Sequence, residues 1–321
     1  MKRLVLQRVL AGVLTLWLVS VLIFVGTELL PGDVASAILG QSATPETVAA
    51  LRASLGLDHP ALQRYGLWLL HFLHGDLGTS LTNGRPVSED LLPRLYNTLF
   101  LAGYAALVAV PLSVLVGIAS AIWQDGLFDR AASVLSLASV SMPEFFVGYV
   151  LLLLLAVKFP VLPSLAAVSP DMAFSERIYA TTLPTLTLLF VVAAHMLRTT
   201  RASVLAVMGS AYTETAILKG LPKSWIVVRH ALPNALAPII NAVSFNLAYL
   251  IVGVIMVEVV FVYPGVGQLM VDAVSKRDLP VVQACGMLFA TAYVGLNTVS
   301  DVLAVWANPR LRHARDRKSV V

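Results

Sequence analysis

The sequence predicts an all-α polytopic membrane protein with six transmembrane helices. Of its 321 residues, 58% are hydrophobic and only 12% are charged, and the mean hydropathy is +0.83. Soluble domains carry about 25% charged residues, so a chain of this composition has too little charge to cover a soluble surface. A single cysteine, Cys285, excludes a disulfide-stapled secreted scaffold.

Six apolar stretches, bounded by charged residues, are long enough to cross the hydrocarbon core of a bilayer as helices. They are 9–27, 95–124, 131–157, 178–197, 230–257 and 279–300, and Glu144 interrupts the third in mid-span. Helices are expected because an open strand would leave backbone groups unpaired in lipid. The first stretch lacks a small-residue cleavage site, so it is predicted to remain as an uncleaved helix.

The basic residues predict that both termini lie in the cytoplasm. With the N-terminus inside, most of the 22 lysines and arginines fall in cytoplasmic segments, as the positive-inside rule requires. Topology therefore explains the net charge of +4. Nucleic acid is not a predicted partner, because the basic residues flank the spans instead of gathering on one face.

The spans and their connections divide the chain into four predicted parts. They are an N-terminal tail with the first span (1–30), an extracytoplasmic cap (31–93), a core with five spans (94–308) and a cytoplasmic tail (309–321). The core contains a second long connection, about 198–233, on the inner side. A connection as long as the cap usually carries a role, so we interpret it as a folded unit that meets a partner or guards an entrance. A plain linker is the alternative.

Local signals predict helices in both connections. In the cap, Thr44 and Pro45 favour a helix start, Gly56 favours its end, and a second amphipathic helix is expected near 62–73. In the inner connection, a short helix is expected to end at Gly220, because glycine suits the left-handed position after a helix.

The inner connection resembles the EAA loop of ATP-binding-cassette (ABC) importer permeases. In that pattern a glycine is followed, after nine residues, by Ile-x-Leu-Pro. The residues at matching spacing are Glu214, Ala216, Gly220, Leu232 and Pro233. Thr215 and His230 stand where Ala and Ile are usual, while Gly220, the most diagnostic position, is present.

Further motifs resemble B-type subunits of the dipeptide/oligopeptide branch of these permeases, and together they cover nearly the whole chain. They lie at 30–33, 75–78, 141–146, 258–267, 277–283 and 309–312. The resemblance implies a type I ABC importer permease in a bacterial inner membrane. Its substrate would be a dipeptide or oligopeptide; nickel, glutathione or another small solute is the alternative within the same class.

The resemblance also implies partners and a coupling site. The partners are a homologous second permease, two ABC ATPase subunits, an extracytoplasmic substrate-binding protein and the lipid bilayer. The residues implied in ATPase coupling are Glu214, Thr215, Ala216, Lys219, Gly220, Leu232 and Pro233. No G-x-x-x-x-G-K-S/T loop occurs in the sequence. ATP and Mg²⁺ are therefore expected in the ATPase subunits, and this chain is expected to bind no cofactor and to be no enzyme.

Polar residues in the spans are candidates for the translocation path or for contacts between helices. Glu144, Asn241 and Asn246 are the path candidates, and a hydrogen bond to a neighbouring helix is the alternative role for each. Structural roles are expected for the signature residues Glu258, Pro264, Gly265, Gly267, Asp278, Asn297 and Asp301. No metal site is predicted, since the histidines of the cap lack an accompanying carboxylate or thiol pattern.

Two other functional classes make predictions that the sequence does not meet. A secondary transporter driven by an ion gradient predicts intramembrane charge pairs and an inverted repeat, and neither is found. An intramembrane enzyme needs a catalytic motif such as G-x-S-x-G or H-E-x-x-H, and none occurs.

Overall fold

The structure is a computed structural model that describes residues 2–29 and 33–307. The elements of these residues are helices, and the β-pairing among them is one isolated bridge between Thr79 and Pro86. The fold-class prediction is therefore confirmed. The predicted tail at 309–321 and the motif residues 30–32 lie outside the described residues.

The helices follow one another with short connections. They are α1 (Lys2–Glu28), α2 (Val34–Leu39), α3 (Pro45–Ser54), α4 (Ala61–Leu73), α5 (Val87–Ile122), α6 (Leu127–Ser141), α7 (Glu144–Leu152), α8 (Phe174–Met208), α9 (Ala211–Leu218), α10 (Lys223–Ile226), α11 (Leu232–Val260), α12 (Val266–Lys276) and α13 (Leu279–Ala307). A 3₁₀ turn (Gly40–Ser42) follows α2, and π-helical turns (Leu153–Lys158 and Val227–Ala231) follow α7 and α10.

Five described helical stretches are long and apolar enough to cross a membrane, and a bent pair raises the number to six if the pair counts as one span. The five are α1, α5, α8, the stretch that combines α10 with α11, and α13. The pair is α6 with α7. These elements coincide with the six predicted stretches.

The third span differs from its prediction as a single helix. Helices α6 and α7 meet at an angle of 109°, with Met142 and Pro143 in extended conformations between them. Proline lacks a backbone donor and disfavours helical geometry in the residue before it. Glu144 lies within the bent pair that corresponds to the third span, as the first residue of α7 instead of a residue inside one continuous helix.

Helix α8 forms the centre of the bundle and packs against α5, α6, α7 and α11. Its apolar window is 61% buried, against 11% for α1, which packs mainly on α13 and α4. The α5–α8 contact is close because Gly117 has no side chain: a Cβ there would lie 2.7 Å from Cβ of Thr200. Small residues allow such approach in membranes, where packing rather than the hydrophobic effect drives helix association.

The cap contains the two predicted helices and an additional one. Thr44 caps α3 in a reciprocal capping box with Thr47, Pro45 is its first residue, and Gly56 follows its end at φ +66°. The additional helix, α2, begins after Asp33, whose carboxylate accepts hydrogen bonds from the hydroxyl and the backbone N–H of Ser36. These bonds lower the pKa of Asp33.

Helix α4 attaches the cap to the C-terminal end of α1. The rings of Tyr65 and Trp68 lie 5.4 and 6.2 Å from that of Phe24. The guanidinium of Arg64 also bonds to the carboxylate of Glu28 at 2.5 Å. Aromatic packing and an ion pair thus join α4 of the cap to α1.

Candidate functional site

The segment 210–233, which contains the predicted coupling residues, forms a helix–turn–helix at the end of α8. The hydroxyl of Thr213 is fully buried and donates to backbone carbonyls that include those of Met208 and Ser210, at 2.8 and 2.7 Å. Ala216 packs inward on the same side of α9. These contacts fix the angle at which α9 leaves α8.

Gly220 closes α9 in the left-handed conformation that the sequence predicts. Its φ is +77°, its N–H donates to the carbonyl of Ile217, and the N–H of Leu221 donates to that of Ala216. A Cβ added to Gly220 would find no atom within 4 Å. The need for glycine therefore comes from backbone conformation, since space is available.

The other predicted coupling residues lie on or near the surface. Glu214, Thr215, Lys219 and Pro233 are exposed, and Leu232 is half-buried. Large apolar side chains accompany them, and we call this set the inner surface: Tyr212, Ile217, Leu218, Trp225 and Val228. Leu218 is 88% exposed. Several large apolar side chains exposed on one short segment are typical of a protein-docking site.

The inner surface is anchored to the bundle from behind. Val227 and Ala231 of the π-helical turn are fully buried and pack with Ala121 of α5 and Val204 of α8. A chain movement that displaces α9 and α10 would therefore also displace the ends of α5, α8 and α11.

An ion pair that sequence reasoning missed lies near this anchor. Arg201 of α8 donates two hydrogen bonds to the carboxylate of Asp129 in α6, at 2.6 and 2.7 Å. The N–H of Asp125 donates to the same carboxylate at 2.9 Å. Because 72 residues separate Asp129 from Arg201, no local periodicity links them in the sequence. The pair fixes the position of α6 against α8.

The predicted signature residues of the outer side form a second site, centred on Glu258. Its carboxylate is fully buried and accepts hydrogen bonds from the Thr98 hydroxyl at 2.6 Å and from the N–H groups of Gly267 and Gln268 at 2.7 and 3.2 Å. The Thr98 hydroxyl in turn accepts a bond from the N–H of Val266 at 2.9 Å. We call Thr98, Glu258 and residues 263–268 the outer cluster.

The outer cluster needs glycines because the carboxylate and the backbone approach each other closely. A Cβ on Gly267 would lie 2.6 Å from Cα of Ile255, and one on Gly265 would overlap the carboxylate of Glu258. Pro264 contributes its carbonyl, which accepts a bond from the side-chain amide of Asn97 at 2.8 Å.

Arg177, which sequence reasoning did not single out, is buried beside the outer cluster. Its guanidinium lies 4.8 Å from the ring of Tyr96 and 4.6 Å from that of Phe100, and it donates to the side-chain carbonyl of Asn97. Cation–π contacts of this kind are favourable where water is excluded. Arg177 follows a loop and precedes an apolar stretch, so its sequence position resembles that of an ordinary flanking charge.

Asp278 joins the cap to the core. Its carboxylate accepts hydrogen bonds from the Ser80 hydroxyl at 2.5 Å and from the N–H groups of Leu81 and Thr82 at 3.0 and 3.2 Å. Asp278 precedes α13, so its bonds attach the hairpin at 79–86 to the base of that helix.

The candidate path residues separate into two groups. Asn246 is buried, and its amide lies 3.1 Å from Nδ1 of His195 in α8; it joins two helices. Asn241 lies on an exposed face of α11 with Phe245 and Tyr249, spaced four residues apart. The hydroxyl of Tyr249 donates to the carboxylate of Glu144, which places Glu144 at the edge of this face.

The two remaining polar signature residues, Asn297 and Asp301, belong to α13. The amide of Asn297 donates to the carbonyl of Tyr293 in its own helix at 3.0 Å. The side chain of Asp301 lies outside the described residues. In the described part of the chain, no group of three or more His, Cys, Asp or Glu side chains is arranged as a metal site.

Comparison with known protein families identifies the family to which this chain belongs. Residues 113–313 match the family described as "Binding-protein-dependent transport system inner membrane component", and residues 1–102 match the corresponding N-terminal family. The chain belongs to this family of ABC importer permeases and is a multi-pass inner-membrane protein. As the resemblance predicts, such permeases work with an ATPase and a substrate-binding protein.

Individual relatives match over almost their entire length. The glutathione transport system permease protein GsiC of Salmonella typhimurium LT2 is 38% identical over 309 residues, which are 96% of this chain and 98% of the relative. The protein of the same name from Escherichia coli K12 is 36% identical over the same coverage.

Proposed function

We propose that this chain imports a peptide-like solute, with glutathione as the first substrate to test, and that it couples to its ATPases through the segment 210–233. The observation that carries the substrate is the full-length similarity to permeases named for glutathione transport. Dipeptides and oligopeptides belong to the same chemical class.

Coupling is proposed to use the inner surface. The side chains of Leu218 and Trp225 would enter a groove on an ATPase subunit, where their burial would stabilise the contact. Glu214 lies in the first turn of α9. There its negative charge would interact favourably with the helix dipole or pair with a basic ATPase residue. ATP and Mg²⁺ would bind in the ATPase subunits, and closure of those subunits would move α9.

The path itself is proposed to lie between this chain and a homologous second permease. The exposed face of Asn241, Phe245 and Tyr249, with Glu144 at its edge, would form half of its wall. In this arrangement the chain termini and the inner surface face the cytoplasm, which agrees with the distribution of basic residues.

The coupling proposal is tested by Gly220→Val. A β-branched residue is strained at φ +77°, so the variant should alter the turn between α9 and α10 without a steric clash in the bundle. In proteoliposomes that contain the whole importer, we expect uptake to fall at least tenfold while the amount of permease in the membrane is unchanged. ATP hydrolysis should lose its stimulation by the binding protein.

Gly220→Asn is the matched control, because asparagine tolerates the left-handed conformation; it should retain most of the uptake. Normal uptake by Gly220→Val would refute the coupling role. Equal loss in both variants would indicate that the glycine is needed for another reason. The substrate is tested separately, by measuring whether the partner binding protein holds glutathione, a dipeptide or nickel.

The cap is proposed to receive the substrate-binding protein. The supporting observations are its length and the exposed apolar side chains of α4, among them Leu62 and Leu73. Replacing both leucines with serine should weaken docking of the binding protein, measured by surface plasmon resonance on the whole complex in nanodiscs. Unchanged affinity would count against this role.

A further inference from the structure

A groove between α6 and α8 contains an arginine without a partner in the described part of the chain. The groove has a volume of about 660 Å³ and is lined by α6 residues of 133–140 and α8 residues of 195–203. Its polar side chains are those of Ser133, Ser136, His195, Arg198, Thr199, Arg201 and Ser203. Ligand sites for small molecules commonly have volumes of about 300–1,000 Å³, and the volume of the groove lies within this range.

The two arginines of the groove differ in whether a carboxylate accompanies them. Arg201 is neutralised by its two hydrogen bonds to Asp129. Arg198 is exposed to the groove, and no described residue forms an ion pair or a hydrogen bond with its guanidinium. One uncompensated positive charge therefore remains, accompanied by hydroxyl groups and by the imidazole of His195.

Arg198 lies within α8, which continues for ten residues beyond it, and it is the first residue of the predicted inner connection. A positive charge that lines a groove without a counter-charge is available to an anionic ligand, and the arginine guanidinium suits a carboxylate in particular. We propose that Arg198, with His195 and the groove hydroxyls, binds a carboxylate of the transported solute.

The groove also lies next to the path face. The side chains of His195 and Asn246 join α8 to α11 at 3.1 Å. Arg198 lies three residues from His195 in one helix, and Tyr249 lies three residues from Asn246 in the other, antiparallel helix. The backbone positions of Arg198 and Tyr249 are thus offset by about 9 Å along the bundle axis, and Tyr249 contacts Glu144. A guanidinium on one helix and a carboxylate beside the other suit a solute that carries both a carboxylate and an amino group. The inference rests on the proposed importer function, and it names the part of the chain that recognises the acidic end of the solute.

A thiol-labelling experiment tests the anion site without requiring transport. Ala202 lines the groove and is exposed, whereas the native Cys285 is buried. Ala202→Cys is introduced into the assembled complex in nanodiscs and labelled with methanethiosulfonate reagents of negative and positive charge. We expect Arg198→Gln to lower the ratio of the anionic to the cationic labelling rate by roughly fivefold or more.

Arg130→Gln is the matched control, since Arg130 is an exposed arginine of α6 outside the groove lining; it should leave the ratio unchanged. S-methylglutathione should slow labelling with Arg198 present and not after Arg198→Gln, and its glycyl amide should protect less. Protection that depends on anionic lipid instead of on the solute would assign Arg198 to a lipid phosphate. An Ala202→Cys thiol that does not react in the complex would assign it to the subunit interface. Either result overturns the proposal.

A second experiment tests the same proposal by measuring uptake. In proteoliposomes, Arg198→Gln should reduce uptake of glutathione about tenfold and reduce the preference for glutathione over its glycyl amide. The binding protein is the same in both cases, so its own preference cancels in the comparison. If the unchanged complex transports neither compound, the proposed function fails. If it transports them and Arg198→Gln keeps the preference, only the role of Arg198 fails.

Discussion

The outer cluster and the inner surface both carry signature residues, and they use them in opposite ways. In the outer cluster, the Glu258 carboxylate accepts three hydrogen bonds from its own chain and is fully buried. On the inner surface, Glu214 and Leu218 are exposed. The first site is complete within the chain, whereas the second has groups that only another molecule can bury.

The two glycines of these sites differ in the same way. Gly267 is required because a side chain has no room there, and Gly220 because the backbone has a positive φ in open space. A substitution at the outer site should therefore act on folding, and one at the inner site on coupling. Three variants test this difference.

The largest effect is expected for Glu258→Ala. Its loss leaves the buried Thr98 hydroxyl, the buried N–H of Gly267 and the partly buried N–H of Gln268 without an acceptor, and each buried unsatisfied group costs about 1–3 kcal/mol. The free energy of unfolding should fall by about 3–5 kcal/mol, measured by thermal or denaturant unfolding of the permease in detergent. Glu214→Ala is the matched control and should leave stability unchanged. Equal stability of the two variants would remove the contrast between the sites.

A moderate, local effect is expected for Asp278→Asn. The amide retains one acceptor oxygen but presents a donor to N–H groups, which loosens the hairpin at 79–86. Hydrogen exchange of the backbone N–H groups of Leu81 and Thr82, which bond to Asp278, should become about tenfold faster. Asp272→Asn, in the helix that precedes Asp278, has no such bonds and serves as control. An unchanged exchange rate would show that the hairpin is held by other contacts.

The smallest effect on stability is expected for Leu218→Gln. Exposed positions usually tolerate substitution within about 0.5 kcal/mol. Affinity for the ATPase subunits should nevertheless fall roughly tenfold, because burial of a leucine contributes about 1.5–3 kcal/mol. Leu62→Gln, equally exposed on the cap, should leave this affinity unchanged. Loss of stability without loss of ATPase affinity would contradict the docking role.

The sequence predicts most of the architecture because its signals are local. Uninterrupted apolar stretches identify the spans, and Thr44-Pro45 and Gly220 identify a helix start and a helix end through backbone preferences of single residues. The bend between α6 and α7 was also signalled, by Pro143 and the charge of Glu144, but a hydropathy count treats the stretch as one segment.

The side-chain partners are less predictable because they depend on distant contacts. Nothing adjacent to Arg177 indicates the rings of Tyr96 and Phe100, and Asp129 has no sequence relation to Arg201. Asn246 illustrates the same limit: composition identifies it as an intramembrane polar group, and only the packing of α8 on α11 shows that it meets His195.

The position of α1 has a consequence for biosynthesis. It packs mainly on α13, and about 250 residues separate the end of one helix from the start of the other. At about 5–20 residues per second, the first helix enters the membrane roughly 10–50 s before its partner is synthesised. Its apolar surface on all sides allows it to remain in lipid during that interval. The bundle is therefore completed by its last span, and a ribosome that stalls before α13 would leave a membrane-inserted chain whose first helix lacks its main packing partner.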